Sequence, residues 1–440
     1  MSPTAAYLSS SELTTSTGEA LLALETALGA TPEGLVQQPQ FFSGMLARPE
    51  VACSALLAVA DVAGSRYFDA GLSQRLASLD PVVTASGDRL RFESFSACNG
   101  VHARLDLLAE GIDAGEVAHG TTNVDINAPL RSALAGVGRE ALMHLDVGVE
   151  GLRLATPEES HEERPVDMPD RWVRGFAETP VLASRMTLRA ELSGAAAAHF
   201  LAGLPRAAPG PSYHLVPVAG GLRQSLRAVP GSVHLAGAAR LAAFARVARF
   251  ATRLLVFGGE EGASGWVLEL PGARLTLLLS PEPYRGFSGR GGLLEALAAG
   301  DSAGAAARLL ELLAWEPVID PAALARDTGL GVPAVERGIG HLAVSGKVGF
   351  DLAESTWFHR ELPLDADRVE RDNPRLVAAR GLVAAGAVQR TEVGWVVHVD
   401  DHDQWVRLGA EGLTCTCLWW AKHRGGRGPC KHVLAATLLK

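Results

Sequence analysis

The 440-residue chain contains no run of eighteen or more apolar residues, so no membrane-spanning helix is expected. It also lacks a surplus of positive charge. The formal net charge is −9, which excludes a chain-wide electrostatic grip on nucleic acid and leaves only a local basic patch for that purpose. The opening stretch, MSPTAAYLSSSELTTSTGE, has neither the basic n-region nor the apolar h-region of a secretory signal. Cysteine is scarce: there are five, an odd set, and three fall in the last 26 residues. A secreted disulfide framework spreads its cysteines, whereas this crowding is how a metal site looks in a reducing compartment. A cytoplasmic protein is therefore expected.

What is present is globular composition, 48% hydrophobic and 20% charged, in a chain long enough for two to four domains. Apolar positions recur at helical spacing from Gly18 to about Gly29 and from Pro49 to Ala63. The period then changes. Pro81–Ser86, Arg89–Phe95 and Val101–Leu108 alternate or run apolar between turn signals, which predicts an antiparallel meander. Helix returns at Ala128–Val137, and Ala141–Val149 with Leu152–Thr156 suggests a further hairpin.

Residues 158–170 are acidic and proline-containing and read as a linker between an N-terminal α+β region (1–157) and a middle one (171–300). In the middle region helices are expected at Arg171–Glu178, Ala195–Leu204 and Ala238–Phe250. Strands are expected at Tyr213–Val218, Leu254–Phe257, Trp266–Glu269 and Arg274–Leu279. The whole is read as an α+β multidomain chain with antiparallel sheets.

Residues 301–363 show helix, helix, helix, hairpin, with Asp320-Pro321 as cap and first turn and Pro333 opening the third helix. That order resembles a winged helix. Its charges argue against a DNA reader. Arg308, Arg326, Arg337, Lys347 and Arg360 face seven acidic residues across 304–360, a net −2. The third helix offers only Glu336, Arg337 and His341, too little for base edges and phosphates. A packing or protein-docking role is expected instead.

The last region, 364–440, carries the chemistry. Cys415-x-Cys417 is followed, after twelve residues, by Cys430-x-His432. Strands Trp395–Val399 and Trp405–Leu408 precede it, and residues two apart on a strand share a face, so Cys415 and Cys417 can aim at one point. Pro429 suits a helix start, placing Cys430 and His432 in the first turn of an apolar helix, where thiolate is favoured. Four such ligands make a closed tetrahedral zinc site, with no open position for catalysis. His423, in the loop, is the alternative to His432 as fourth ligand. Lys422, Arg424, Arg427 and Lys431 surround the ligands with Trp419 and Trp420, and no acidic residue follows Glu411. Two readings stand for this rim. It contacts nucleic acid or a partner, or it balances the thiolates while the tryptophans fill the small core.

This pattern resembles the SWIM zinc finger family over roughly residues 390–440, with Lys431 in the basic place between the last two ligands. The resemblance implies one structural zinc held by Cys415, Cys417, Cys430 and His432. RFESFSACNGVHARLDLL (91–108), GTTNVDIN (120–127), PDRWVRGFAE (169–178) and SPEPYRGFSGRGGLL (280–294) are similar to stretches of larger bacterial proteins that carry a C-terminal SWIM module. Such proteins are often encoded beside a MoxR-type AAA+ ATPase and a von Willebrand A-domain protein. The resemblance therefore implies a part in a multi-protein assembly and supplies no biochemical activity; a non-enzymatic adaptor that docks partner proteins is expected.

Other groups read as structural. Cys98 near His102 has no identifiable third partner for a nucleophile, and Cys53 sits on an apolar helix. His119, Asp125 and Asn127 read as caps and turn formers. Gly286–Gly292 lacks the Walker lysine and the dinucleotide spacing, and Glu158, Glu159, Glu162 and Glu163 around His161 form a solvated acidic loop.

Overall fold

The computed structural model describes residues 4–5, 11–16, 19–37, 39–65, 81–139, 141–148, 166–167, 170–206, 210–259, 262–287, 294, 297–298, 302–362, 373–399, 402–409, 412–425 and 427–439. Helices alternate with mainly antiparallel sheets, an α+β arrangement. The expected hairpin partner Leu152–Thr156, the acidic residues 158–163 and most of the glycine-rich stretch 286–292 lie outside the described residues. Among the described residues, no helix is long and apolar enough to cross a membrane.

The meander forms as its pattern predicts. Val82–Ser86, Leu90–Phe95 and Val101–Leu107 pair antiparallel, and Val101–Leu107 pairs on its other side with Ala273–Leu279. One ten-stranded sheet thus runs through both the N-terminal and the middle α+β stretches. The apolar alternate residues, such as Phe92, Ala103, Leu105, Leu275 and Leu277, face a core that also takes in helix α1 (Pro49–Gly64). A smaller sheet supplies Leu22, Leu24, Phe42, Met143 and Leu145 to the same core. Helix α1 is buried along most of its length, as a helix apolar at nearly every position but Glu50, Ser54 and Asp61 must be. Its Cys53 lies 3.4 Å from the Met143 sulfur, and burial pushes its thiol up to about 12, so it is a core residue.

Two segments depart from their patterns. The expected helix at 18–29 contains instead the strand Glu19–Leu24, paired in parallel with Leu142–Val147. Ala20, Leu22 and Leu24 are buried while Leu21 and Ala23 are half-buried, a period of two. The alanines and leucines have helical propensity, but pairing on both sides, with Leu142–Val147 and with Glu12–Ser16, in a sheet that buries every second residue overrides it. At 238–250 the chain winds into 3₁₀ turns, Ala238–Arg246 and Ala248–Phe250, rather than an α-helix. It is pinned at its start, where Gly237 sits at φ 65° and the fully buried Arg240 donates to the carbonyls of Ala236, Ser280 and Gly100.

Helix α2 (Ala128–Ala135) is capped by Asn127, whose side chain accepts from Leu130 N at 2.9 Å. Helices α3 (Asp170–Ser184) and α4 (Gly194–Ala202) follow. After them come α5 (Ser302–Leu310), α6 (Pro321–Thr328) and α7 (Val332–Val344), and then the hairpin Val348–Asp351 and Thr356–His359. Asp320 caps α6 through Ala322 N at 2.8 Å, and Gly329 closes it at φ 67°.

That hairpin covers the charged face of the meander. Arg91, Glu93, Arg104 and Asp106 alternate with the apolar residues and so point away from α1, yet all four are buried. Asp106 pairs with Arg91 at 3.2 Å and Arg104 at 3.0 Å. Asp351 of the hairpin takes Arg104 and Arg274, each at 3.2 Å, and Glu354 takes Arg274 at 2.8 Å and Arg89 at 2.6 Å. Arg360 donates to Glu93, which also holds His102 at 3.1 Å. Phe358 lies beneath the Arg91 guanidinium, 3.9 Å from its ring centroid.

Burial alone would raise the Glu93 and Asp351 carboxyls. Arg360 beside Glu93, and Arg104, Arg274 and Arg91 around Asp351, instead hold both well below the carboxylate range. A depressed folded-state pKa means that the stability these groups lend is complete above the unfolded value near ~4 and is lost as pH falls, between about pH 5 and about pH 1. Acid is therefore expected to loosen the hairpin from the sheet, read as falling hydrogen-exchange protection at residues 348–359. Protection that stays level down to about pH 2 would contradict this linkage.

The C-terminal region adds helix α8 (Pro374–Ala384) and a four-stranded sheet, Val388–Thr391, Gly394–Val399, His402–Gly409 and Gly412–Cys415. Two short helices, α9 (Leu418–His423) and α10 (Lys431–Leu438), complete it. Helix α10 faces two cores. Leu434 and Ala435 join Leu376 and Ala379 of α8, Trp172 and Phe176 of α3, and Phe287 in one cluster, while Val433 and Ala436 join the cysteines.

Candidate metal centre

Cys415 ends a strand, but Cys417 does not continue it. Cys417 instead caps α9, its sulfur accepting from Trp420 N at 3.5 Å. This corrects the expectation that two positions on one strand aim both sulfurs. Convergence comes from a strand end and a helix cap, with the Cys417 N–H turned onto the Cys415 sulfur at 3.5 Å. Cys430 caps α10 in the same way, accepting from Val433 N at 3.4 Å. Each sulfur thus receives a backbone N–H, and two sit at helix N-termini, where partial positive charge favours thiolate.

The ligand atoms of Cys415, Cys417, Cys430 and His432 all lie within 4.8 Å of one another. His432 Nδ1 is 3.7 Å from the Cys415 sulfur and 3.9 Å from the Cys430 sulfur. Zn–S of ~2.3 Å and Zn–N of ~2.0 Å imply tetrahedral edges of about 3.5–3.8 Å. The separations fit such an ion. All four residues are buried, none more than 8% exposed. Three soft sulfurs and an imidazole suit zinc and are a poor set for magnesium or calcium.

The thiols titrate as a group. Cys430 is drawn down to about 4, first by the hydrogen bond from the Cys415 thiol and then by those from His432 and Val433 N. Cys415 is pushed far up, first because it donates that bond and then by burial, and burial also raises Cys417. A divalent ion in their midst supplies the charge that lets all three ionise, and its binding releases their protons.

His423 is not in the cluster; it packs on Trp419, ring centroids 4.5 Å apart. Lys422, Arg424 and Arg427 are exposed and Lys431 is half-buried. Trp419 and Trp420 are half-buried against the small core, and Trp419 Nε1 donates to Gly428 O at 3.4 Å. The tryptophans are thus committed to the finger's own packing, while the cations reach solvent. Arg375 of α8, which the sequence did not single out, lies over Trp419, 4.7 Å from its ring centroid.

The remaining candidates separate. Cys98 sits 3.3 Å from Ser96 Oγ while His102 turns to Glu93, so no Cys/His pair is assembled. Asn127 caps α2 and donates to Asp125 at 3.3 Å, whereas His119 packs at Gly87. Gly286 passes so close to the Cys98 and Asn99 carbonyls that a Cβ there would stand 2.8 Å from each, and Phe287 N donates to Asn99 O at 2.8 Å. This glycine serves a close backbone approach.

Residues 395–440 match the family model of the SWIM zinc finger. With the Cys/His cluster this supports zinc binding at the site. A search of curated proteins found no match. Among solved structures, the chain is similar to the proliferating cellular nuclear antigen of Entamoeba histolytica. Identity is 13% and the TM-score 0.34, over 56% of this chain and 100% of that one.

Proposed function

We propose that this chain is a non-enzymatic, cytoplasmic adaptor whose C-terminal finger holds one structural zinc and docks partner proteins. The observation that carries this reading is the closed set of four buried ligands on elements whose helix α10 is also packed into the body. Such a metal organises a surface and has no open coordination position for a substrate. Residues 301–363 are read as a winged-helix-like segment used for packing. Its hairpin is buried on the ten-stranded sheet and Arg360 is committed to Glu93, which supports a docking element over a DNA reader.

The partners suggested by resemblance are a MoxR-type AAA+ ATPase and a von Willebrand A-domain protein. The test is co-purification of the tagged chain with each, at low and high salt. Retention at high salt is expected. A monodisperse chain that retains neither counts against the adaptor. One observation favours a second reading, nucleic-acid binding: Lys422, Arg424 and Arg427 are exposed together, with no acid after Glu411. That reading requires a gel shift at low salt that weakens steeply with salt and on charge reversal at Arg424 and Arg427. No shift at low salt removes it.

A further inference from the structure

The family match begins at residue 395, yet the loop that delivers Cys430 is held by a residue outside that segment. Arg375 lies in the first turn of α8. Its Nη1 donates to Arg427 O at 2.8 Å and to Pro429 O at 2.9 Å, and its guanidinium stacks on Trp419. Trp419 in turn donates to the carbonyl between those two, Gly428 O. Three consecutive carbonyls before Cys430 are thus all satisfied by side chains. The strand ladder does not reach this loop, Pro429 has no N–H, and Gly428 sits at φ 71°. Gly428 and Pro429 are buried, so water is a poor substitute donor. Burial, and then the Arg285 charge, disfavour the charge on Arg375, and Glu178 of α3 and the Cys430 sulfur only partly offset them.

We propose that Arg375 is a positioning residue of the zinc site, its guanidinium fixing residues 427–429 and thereby the place of Cys430. The site then extends onto α8, and the finger's grip on metal depends on the body of the protein. A planar fork that stacks on an aromatic ring while bridging two carbonyls is a task for arginine; a lysine ammonium supplies the charge but not the stacked bridge.

This rests on the zinc reading, and the test separates the two. The full chain is loaded with zinc, and release to excess chromogenic chelator is timed for wild type, Arg375→Ala, Arg375→Lys and Arg390→Ala. Arg390 is an exposed cation on the finger's sheet and serves as the control. Loss of a group that orients a ligand typically weakens metal binding about 10–100-fold, so release about tenfold faster or more is expected for Arg375→Ala. The Lys variant keeps volume and charge and guards against simple misfolding; it too is expected to release fast, while Arg390→Ala matches wild type. In both Arg375 variants Cys430 is expected to be the first finger cysteine alkylated, a readout that general loosening of the finger does not single out. Wild-type release from Arg375→Ala, or from Arg375→Lys, overturns the proposal while leaving the zinc reading intact. A wild-type chain that holds no zinc overturns both.

Discussion

The double variant Cys415→Ser, Cys417→Ser is expected to lose its zinc and to unfold the finger. The finger's own core is eight buried residues, three of them the cysteines, with Trp395, Val397, Val406, Val433 and Ala436 as the apolar remainder. So small a core does not offset the entropy of ordering a sheet and two helices. Structural zinc supplies about 10–16 kcal/mol in comparable small modules, so binding free energy here is folding free energy. The tertiary contacts set how far the damage spreads. Leu434 and Ala435 of α10 share a cluster with α8, α3 and one face of the ten-stranded sheet (Val82, Phe95, Leu278), so loosening is expected to reach α8 and to spare the sheet's other face, which has its own core with α1. Elemental analysis should fall from one zinc per chain to none, and hydrogen exchange should accelerate over residues 394–438. Stoichiometric zinc in the double variant, or undiminished protection there, would sink the claim.

The second large effect is expected at Asp351→Asn. The substitution keeps the shape and leaves Arg104 and Arg274 without the carboxylate they share, each at 3.2 Å and within an interface closed to water. Removing one partner of an isolated buried pair costs about 3–5 kcal/mol; Arg104 keeps Asp106 at 3.0 Å and Arg274 keeps Glu354 at 2.8 Å, so a loss of about 1–3 kcal/mol is expected here. An amide oxygen can still cap Ala353 N, now at 3.0 Å from Asp351 Oδ1, so the local turn is spared and the loss belongs to the charge. The check is exchange protection of the hairpin amides 348–359 and the denaturant midpoint at which they open. A change of less than about 1 kcal/mol would show that Asp106 and Glu354 alone suffice for the two arginines, and would contradict the weight placed on Asp351.

How much of this was legible in advance depends on the range of the signal. Alternation in the meander predicts three strands and their apolar face, and both form. The same alternation places Arg91, Glu93, Arg104 and Asp106 on the opposite face, which in an isolated sheet would meet water. A hairpin roughly 250 residues later buries them, a contact no local period can announce. Residues 19–24 fail for the same reason. Their alanines and leucines suit a helix, and pairing makes them a sheet strand, with the neighbouring Glu12–Ser16 on one side and the distant Leu142–Val147 on the other. The turns at 238–250 are likewise set by Arg240 reaching Gly100 and Ser280, which are distant in sequence.

The metal centre was the most legible part because its ligands are placed by local backbone. A Cys-x-Cys at a strand end and a Cys-x-His at a helix start need only neighbouring residues to set their directions, and the four ligand atoms do converge. The sequence alone determined which residues those are, that the metal suited to them is zinc, and that the finger's loop is basic. Only the tertiary structure decided that Cys417 reaches the centre from a helix cap, that Trp419 and Trp420 serve the finger's packing, and that Arg375 braces the loop from another helix. Spacing encodes what adjacent residues do to each other; long-range packing decides which charged and aromatic groups remain for a partner.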